Sequence, residues 1–358
     1  DTFLLNQVSD LILAQSNPLD YYLETDDGKA CYPQPLFNTD YYFSIYPEVA
    51  AFNIQPLLHY LLWGGKERRK PHPLFDVEYY LSENKDAIES GMNALLHYIQ
   101  IGEKGGRDPH PLFDSNYYRN RYPDVATSGI NTLVHFITIG AQQGRSVIKE
   151  VDTLDYKPKI SIILISKEKM GRQLLANIYA LTCQIYPLIE VIHLINPDER
   201  ESIEKKIKWM AGQDTRILPF FLDRYHKLSD IMNQTLEQAT GEFVMFLDAN
   251  VFLHCHALFE FIKLLNRYSE FDLISSVAED LDLSRKRVSE SYDPDKKITY
   301  SYYISPLALY RKSLLEKSGG FKTWHTGVRD PDFLANIVAC TSIKRIVHLP
   351  KKLYYSVD

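Results

Sequence analysis

Residues 232–250 read MNQTLEQATGEFVMFLDAN. The first part completes an amphipathic pattern that starts at Lys227 and predicts a helix closed by Gly241. The EFVMFLD run at 242–248 is then apolar up to an acid, the pattern of a strand buried on both faces. That acid is Asp248, and Asn250 follows two residues later. A strand ending in this way sets two oxygen-bearing side chains at one edge of a sheet, where oxygen ligands can meet a hard cation and a phosphate.

Before this stretch, apolar runs alternate with helical ones. KISIILIS (159–166), LIEVIHLIN (188–196) and RILPFFL (216–222) predict strands. GRQLLANIYALTCQIY (171–186) predicts a helix, and ESIEKKIKWMAG (201–212) a second one facing solvent. The alternation predicts an α/β domain whose mostly parallel sheet is covered on both faces. Ligands of such sheets lie beyond the carboxyl ends of the strands, here at Ser166, Asn196 and Asp248. No G-x-G-x-x-G follows the first strand and no G-x-x-x-x-G-K-[ST] occurs, so neither a dinucleotide fold nor a P-loop is signalled. His254 and His256 lack a completed ligand set and are read as capping or solvated residues. The charged stretch at 281–297 has no apolar periodicity and predicts a flexible loop suited to cover an acceptor.

The first 150 residues follow a different rule. PLFNTDYY at 35 recurs as PLFDVEYY at 73 and PLFDSNYY at 111, a spacing of 38. PLLHYLLWGG, ALLHYIQIGE and TLVHFITIGA keep the same register and place His59, His97 and His135 38 apart. A partial copy, NPLDYYLETDDGKACYPQP, precedes them. Each unit reads as two helices: Asn38, Asp76 and Asp114 cap the first, and Gly64, Gly102 and Gly140 close the second as left-handed C-caps. Pro71 and Pro73, then Pro109 and Pro111, stop the helices from running on. Positions identical in every unit are what stacking demands, so the histidines and tyrosine pairs are read as inter-repeat core in preference to a sugar-binding face. The expected organisation is a helical-hairpin repeat domain over 1–150 and an α/β domain over 157–358.

A chain of 358 residues accommodates two such cores. A net charge of −6 argues against a nucleic-acid partner. Cys31, Cys183, Cys255 and Cys340 are widely separated, which fits free thiols in a reducing, cytoplasmic setting. No apolar run reaches the roughly 18 to 20 residues of a membrane span. The chain begins with Asp, which leaves room for a signal or anchor outside it.

PKISIILIS, LIEVIHLINPD, MNQTLEQATGEFVMFLDAN, LYRKSLLEKSGGF (309–321) and RDPDFLANI (329–337), taken in order, resemble the GT-A fold of family 2 inverting glycosyltransferases. The repeats resemble the PLFD-x-x-YY and NPL-x-HYL units that accompany some bacterial glycosyltransferases of polysaccharide and protein glycosylation. The resemblance implies a nucleotide-diphosphate sugar donor, a glycan or protein acceptor, and peripheral association with membrane-bound glycan machinery at the inner face. It implies Asp330 as the inverting base, Asp248 and Asn250 as the DXD motif holding Mn²⁺ or Mg²⁺, and Lys227 as a phosphate contact.

This sequence departs from that pattern. Asn250 replaces the second acid, and an amide carbonyl binds a metal without contributing charge. Ile195 and Asn196 stand where the family has paired acids, Ile165 and Lys167 where it has Thr and Tyr contacts, and Arg329 where a Glu precedes the base. The departures favour phosphate neutralisation by Arg329 or Lys227. They also define the alternative, a catalytically degenerate scaffold or glycan-binding subunit in which Asp248 is a turn residue and Asp330 only the N-cap of a helix starting at Pro331.

Overall fold

The structure, a computed structural model, describes residues 34–52, 54–165, 171–195, 197–221, 228–278, 307–321 and 331–357. The chain divides into two compact units, Asp1–Thr153 and Leu154–Asp358.

In the first unit the first helix of each repeat runs over Thr39–Ile45, Val77–Glu83 and Ser115–Arg121. The residue before each accepts a hydrogen bond from a tyrosine amide, Asn38 from Tyr41 at 2.8 Å, Asp76 from Tyr79 at 3.0 Å and Asp114 from Tyr117 at 2.7 Å. These are the caps the sequence predicts. A short segment that the two-helix reading did not foresee follows, at Pro47–Phe52, Lys85–Glu89 and Pro123–Ser128. The last arm begins as one α-turn and widens into a π-turn ending at Gly64, Gly102 and Gly140.

Those three glycines are not left-handed C-caps, because the helix continues right-handed past each of them. Their role is steric. A Cβ at Gly64, Gly102 or Gly140 would lie 2.2, 2.0 or 1.9 Å from the hydroxyl of Tyr42, Tyr80 or Tyr118. Each of these hydroxyls is hydrogen-bonded to Nδ1 of the repeat histidine, at 3.2 Å to His59, 2.8 Å to His97 and 3.0 Å to His135. The left-handed residue comes later, at Arg68, Gly106 and Gly144, with φ of 58°, 70° and 72°.

The second unit is an eight-stranded sheet in the order β3-β2-β1-β4-β7-β6-β8-β5. Strands β1 (Ile160–Ile165), β2 (Ile189–Ile195), β3 (Ile217–Phe221) and β4 (Phe243–Asp248) are the four read from the sequence, and they pair in parallel. The other half makes the sheet mixed. β7 (Ala308–Arg311) runs antiparallel to β4 and β6 (Leu273–Ala278), while β8 (Ile346–Ser356) is parallel to β6 and antiparallel to β5 (Val251–Leu253).

Helices α1 (Gly171–Thr182), α2 (Pro197–Gln213), α3 (Leu228–Gln238), α4 (Ala257–Arg267), α5 (Lys312–Lys317) and α6 (Pro331–Ala339) complete this unit among the described residues. One core unites Ile163, Ile192, Val244 and Phe246 of the sheet with α3, α5 and α6. Gly241 does not close α3, which ends at Gln238. It lets the chain pass close to β1, where a Cβ would sit 2.6 Å from the Ser161 nitrogen. No helix among the described residues is long and apolar enough to cross a membrane.

Candidate active site

The four parallel strands end level. Ile165 is in register with both Leu194 and Asp248, and Ile195 with Phe221. Their carboxyl ends therefore form one edge, the side on which open α/β sheets take ligands. Asp248 and Asn250 are both partly exposed there, and Ala249 between them is fully buried. The alternation sends the two oxygen-bearing side chains away from the core while Ala249 anchors the turn.

The turn is fixed through its main chain. The Ala249 amide donates to Ile165 O at 2.8 Å, and the Val357 amide donates to Asn250 O at 2.9 Å. Asn177 of α1, fully buried, donates through Nδ2 to Ala249 O at 3.1 Å and Val251 O at 2.7 Å. Just beyond, Gln184 donates to His254 O at 2.9 Å and accepts from the Leu258 amide at 3.3 Å. Sequence reasoning missed Asn177 and Gln184. A polar residue inside an otherwise apolar helix face was the available signal for the first.

Of the residues predicted for the site, the structure brings Asp248 and Asn250 together on this turn. Ser166, Asn196, Lys227 and Asp330 lie outside the described residues, as do Lys167, Arg329 and the stretch at 281–297. Their neighbours in the chain are described. β1 ends at Ile165, β2 at Ile195, α3 starts at Leu228 and α6 starts at Pro331, the residue the sequence reading assigns to the first helical position. The first turn of α6 packs near the end of β4. Phe333 stacks on Phe321 at 4.4 Å and meets Phe246, two residues before Asp248, edge-on at 6.5 Å.

The opposite, entry end of the strands holds a carboxylate of a different kind. Glu190 is 3% exposed and accepts from Lys159 Nζ at 2.6 Å, Ser161 Oγ at 2.6 Å, and the Thr240 amide and hydroxyl at 2.6 and 2.7 Å. Burial alone would raise its pKa, but these hydrogen bonds outweigh burial and hold the carboxyl below its ordinary range. His193, fully buried on β2, is pushed down to about 3 by burial and is neutral. His254 and His256 stack at 5.7 Å, and His256 sits at the N-cap of α4 without a side-chain capping bond. Among the described residues no three His, Cys, Asp or Glu converge as metal ligands.

A carboxylate and an amide oxygen are oxygen donors of the kind a hard divalent cation takes, and Mg²⁺ in phosphate sites draws its other ligands from phosphate and water.

No protein-family model matches the chain. A curated relative, the uncharacterized protein y4gI of Sinorhizobium fredii, is 22% identical over 207 residues, covering 57% of this chain and 23% of the relative's length. Among solved structures, S. aureus TarS aligns with a TM-score of 0.44 and 21% identity over 56% of this chain and 37% of that one. TarS 1-349 in complex with UDP-GlcNAc aligns with a TM-score of 0.45 and 19% identity, covering 56% and 58% of the two chains. The mannosyltransferase PcManGT from Pyrobaculum calidifontis, in complex with GDP-Man and Mn²⁺, aligns with a TM-score of 0.43 and 19% identity, covering 63% and 66%.

Proposed function

We propose that the chain is an inverting glycosyltransferase that moves a sugar from a nucleotide-diphosphate donor to a glycan or protein acceptor in bacterial surface polysaccharide or glycoprotein synthesis. The observation that carries this reading is the level carboxyl edge of β2, β1 and β4, where a main-chain clamp holds Asp248 and Asn250 partly exposed.

Sugar transfer must neutralise a departing diphosphate and remove a proton from the incoming hydroxyl. Asp330, next to the start of α6 and three residues before Phe333, is the proposed base. It takes the acceptor proton while the acceptor oxygen bonds to the anomeric carbon and the diphosphate leaves from the opposite face. Asp248 and Asn250 would hold Mn²⁺ or Mg²⁺, which when bound offsets the charge of the diphosphate. Ser166 and Asn196 are the proposed donor contacts, and Lys227 the proposed phosphate contact. The described cysteines are free thiols, in keeping with a cytoplasmic chain working at the inner face of the membrane.

A second reading, a scaffold or glycan-binding subunit that kept the fold and lost the nucleotide site, is favoured by Asn250 in place of an acid. Turnover with a panel of UDP- and GDP-sugars, measured for the wild type and Asp330→Asn, separates the two. The substitution keeps shape and capping ability but removes the proton acceptor, so donor affinity should hold while turnover falls by roughly 10²-fold or more. A wild type that neither binds nor turns over any donor, with or without Mn²⁺, would support the scaffold reading.

A further inference from the structure

We infer that Asn177 is the positioning residue that sets the β4–β5 turn and thereby aims Asp248 and Asn250 at the diphosphate. The role in donor binding rests on the glycosyltransferase reading; the clamp itself does not.

Asn177 lies on the buried face of α1 among Leu174, Ile178 and Leu181, where an aliphatic side chain would pack without polar cost. Its amide has two N–H donors. Nδ2 reaches the two carbonyls that flank Asn250, at 249 and 251. Its Oδ1 is buried without a hydrogen-bond partner among the described residues. Leaving an acceptor unsatisfied is costly, so the residue is poorly explained as core filling and well explained as a tether.

Asn177 holds the carbonyls of 249 and 251, and the Val357 amide holds that of 250. Releasing the two Asn177 bonds frees the peptide plane on the N-terminal side of Asn250 and the one that follows Val251, and leaves the turn to the Ile165 and Val357 contacts and the β5–β8 pairing. Asp248 and Asn250 then lose their fixed separation, and positioning of polar ligands before binding is what a donor site requires.

The test uses the full chain with Asn177→Ala and Asn177→Asp. Amide hydrogen exchange without ligand is followed over 247–252 and at 357, and UDP and GDP are titrated calorimetrically with Mn²⁺. For Asn177→Ala we expect exchange over 247–252 to rise at least tenfold, with the peptides around Glu190 unchanged, and nucleotide affinity to fall at least tenfold. Asn177→Asp, whose carboxyl donates one hydrogen only when protonated, should lose protection over 247–252 relative to the wild type at neutral pH and regain it relative to the wild type at the same pH as pH falls. Native exchange at the turn and native affinity, with only a lower melting temperature, would overturn the inference. Should Asn177→Ala fail to fold, an Asn177→Asp protein whose turn exchanges like the wild type at every pH would overturn it equally. A wild type that binds neither nucleotide sinks the glycosyltransferase reading, while exchange at the turn still decides whether Asn177 is the clamp.

Discussion

The two ends of the parallel strands carry carboxylates with opposite treatment. At the entry end, Glu190 on β2 is enclosed and its oxygens are engaged by Lys159, Ser161 and Thr240. At the exit end, Asp248 is left partly exposed while the backbone around it is tied down by three separate segments. In the first case the side chain is fixed and its charge is consumed within the fold. In the second the main chain is fixed and the side chain is presented. The repeat histidines belong with Glu190, since each is buried and bonded to a tyrosine of its own unit. Residue type therefore says little about function here; what distinguishes the groups is how far each side chain is enclosed.

Substitutions at the two ends should separate stability from binding. The largest effect is expected for Glu190→Ala, which strands Lys159 and the Ser161–Thr240 donors. A loss of about 3 kcal/mol in urea unfolding is expected, toward the low end for a broken buried pair because the Lys159 side chain stays half exposed and can be resolvated. Nucleotide affinity of the folded protein should be unchanged. Because the Glu190 carboxyl is held below its ordinary value of 4.5, its contribution is fully present above that pH and lost as pH falls through the folded-state value. Glu190→Gln should therefore lose less stability than the wild type on acidification.

Tyr80→Phe comes next. It leaves His97 Nδ1 buried without its 2.8 Å partner, and should lower stability by about 1–3 kcal/mol with donor binding intact. A variant with wild-type stability but weaker binding of a glycan acceptor would move the repeat histidines into the functional class and break the comparison. The smallest effect is expected for Asn250→Asp, which adds charge at a fixed position and should strengthen Mn²⁺ binding by roughly tenfold or less. Unchanged metal affinity in calorimetry would mean that the turn does not present both oxygens to one ion.

Much of this fold was legible in the sequence, for identifiable reasons. β1 to β4 are long enough, and apolar enough, to stand out against helical neighbours, and the 38-residue period exposed the repeats before any helix was assigned. β5 was not legible because three residues carry no periodicity. β8 was hidden by Pro350 and two lysines in its middle, where its register with β6 slips between Ser276 and Val277; a proline without an amide hydrogen is what a bulge accommodates. The glycines were located correctly but explained wrongly, because their need is set by a tyrosine hydroxyl from another helix and no local pattern reveals it. The Asp248–Asn250 turn was found from the strand that delivers it. Asn177 was not: its place on an apolar helix face marks it as unusual, but a side chain that bonds to the backbone over 70 residues away leaves no spacing that names its partner.

The measurement that tests the central claim most directly is hydrogen exchange of the full chain with and without UDP or GDP and Mn²⁺, resolved along the sequence. The account predicts new protection confined to the exit end, in peptides spanning 163–167, 194–197 and 246–252, with no change around Glu190 or over 35–148. Protection in the repeats or at the entry end, with the Asp248 turn unaffected, would contradict it.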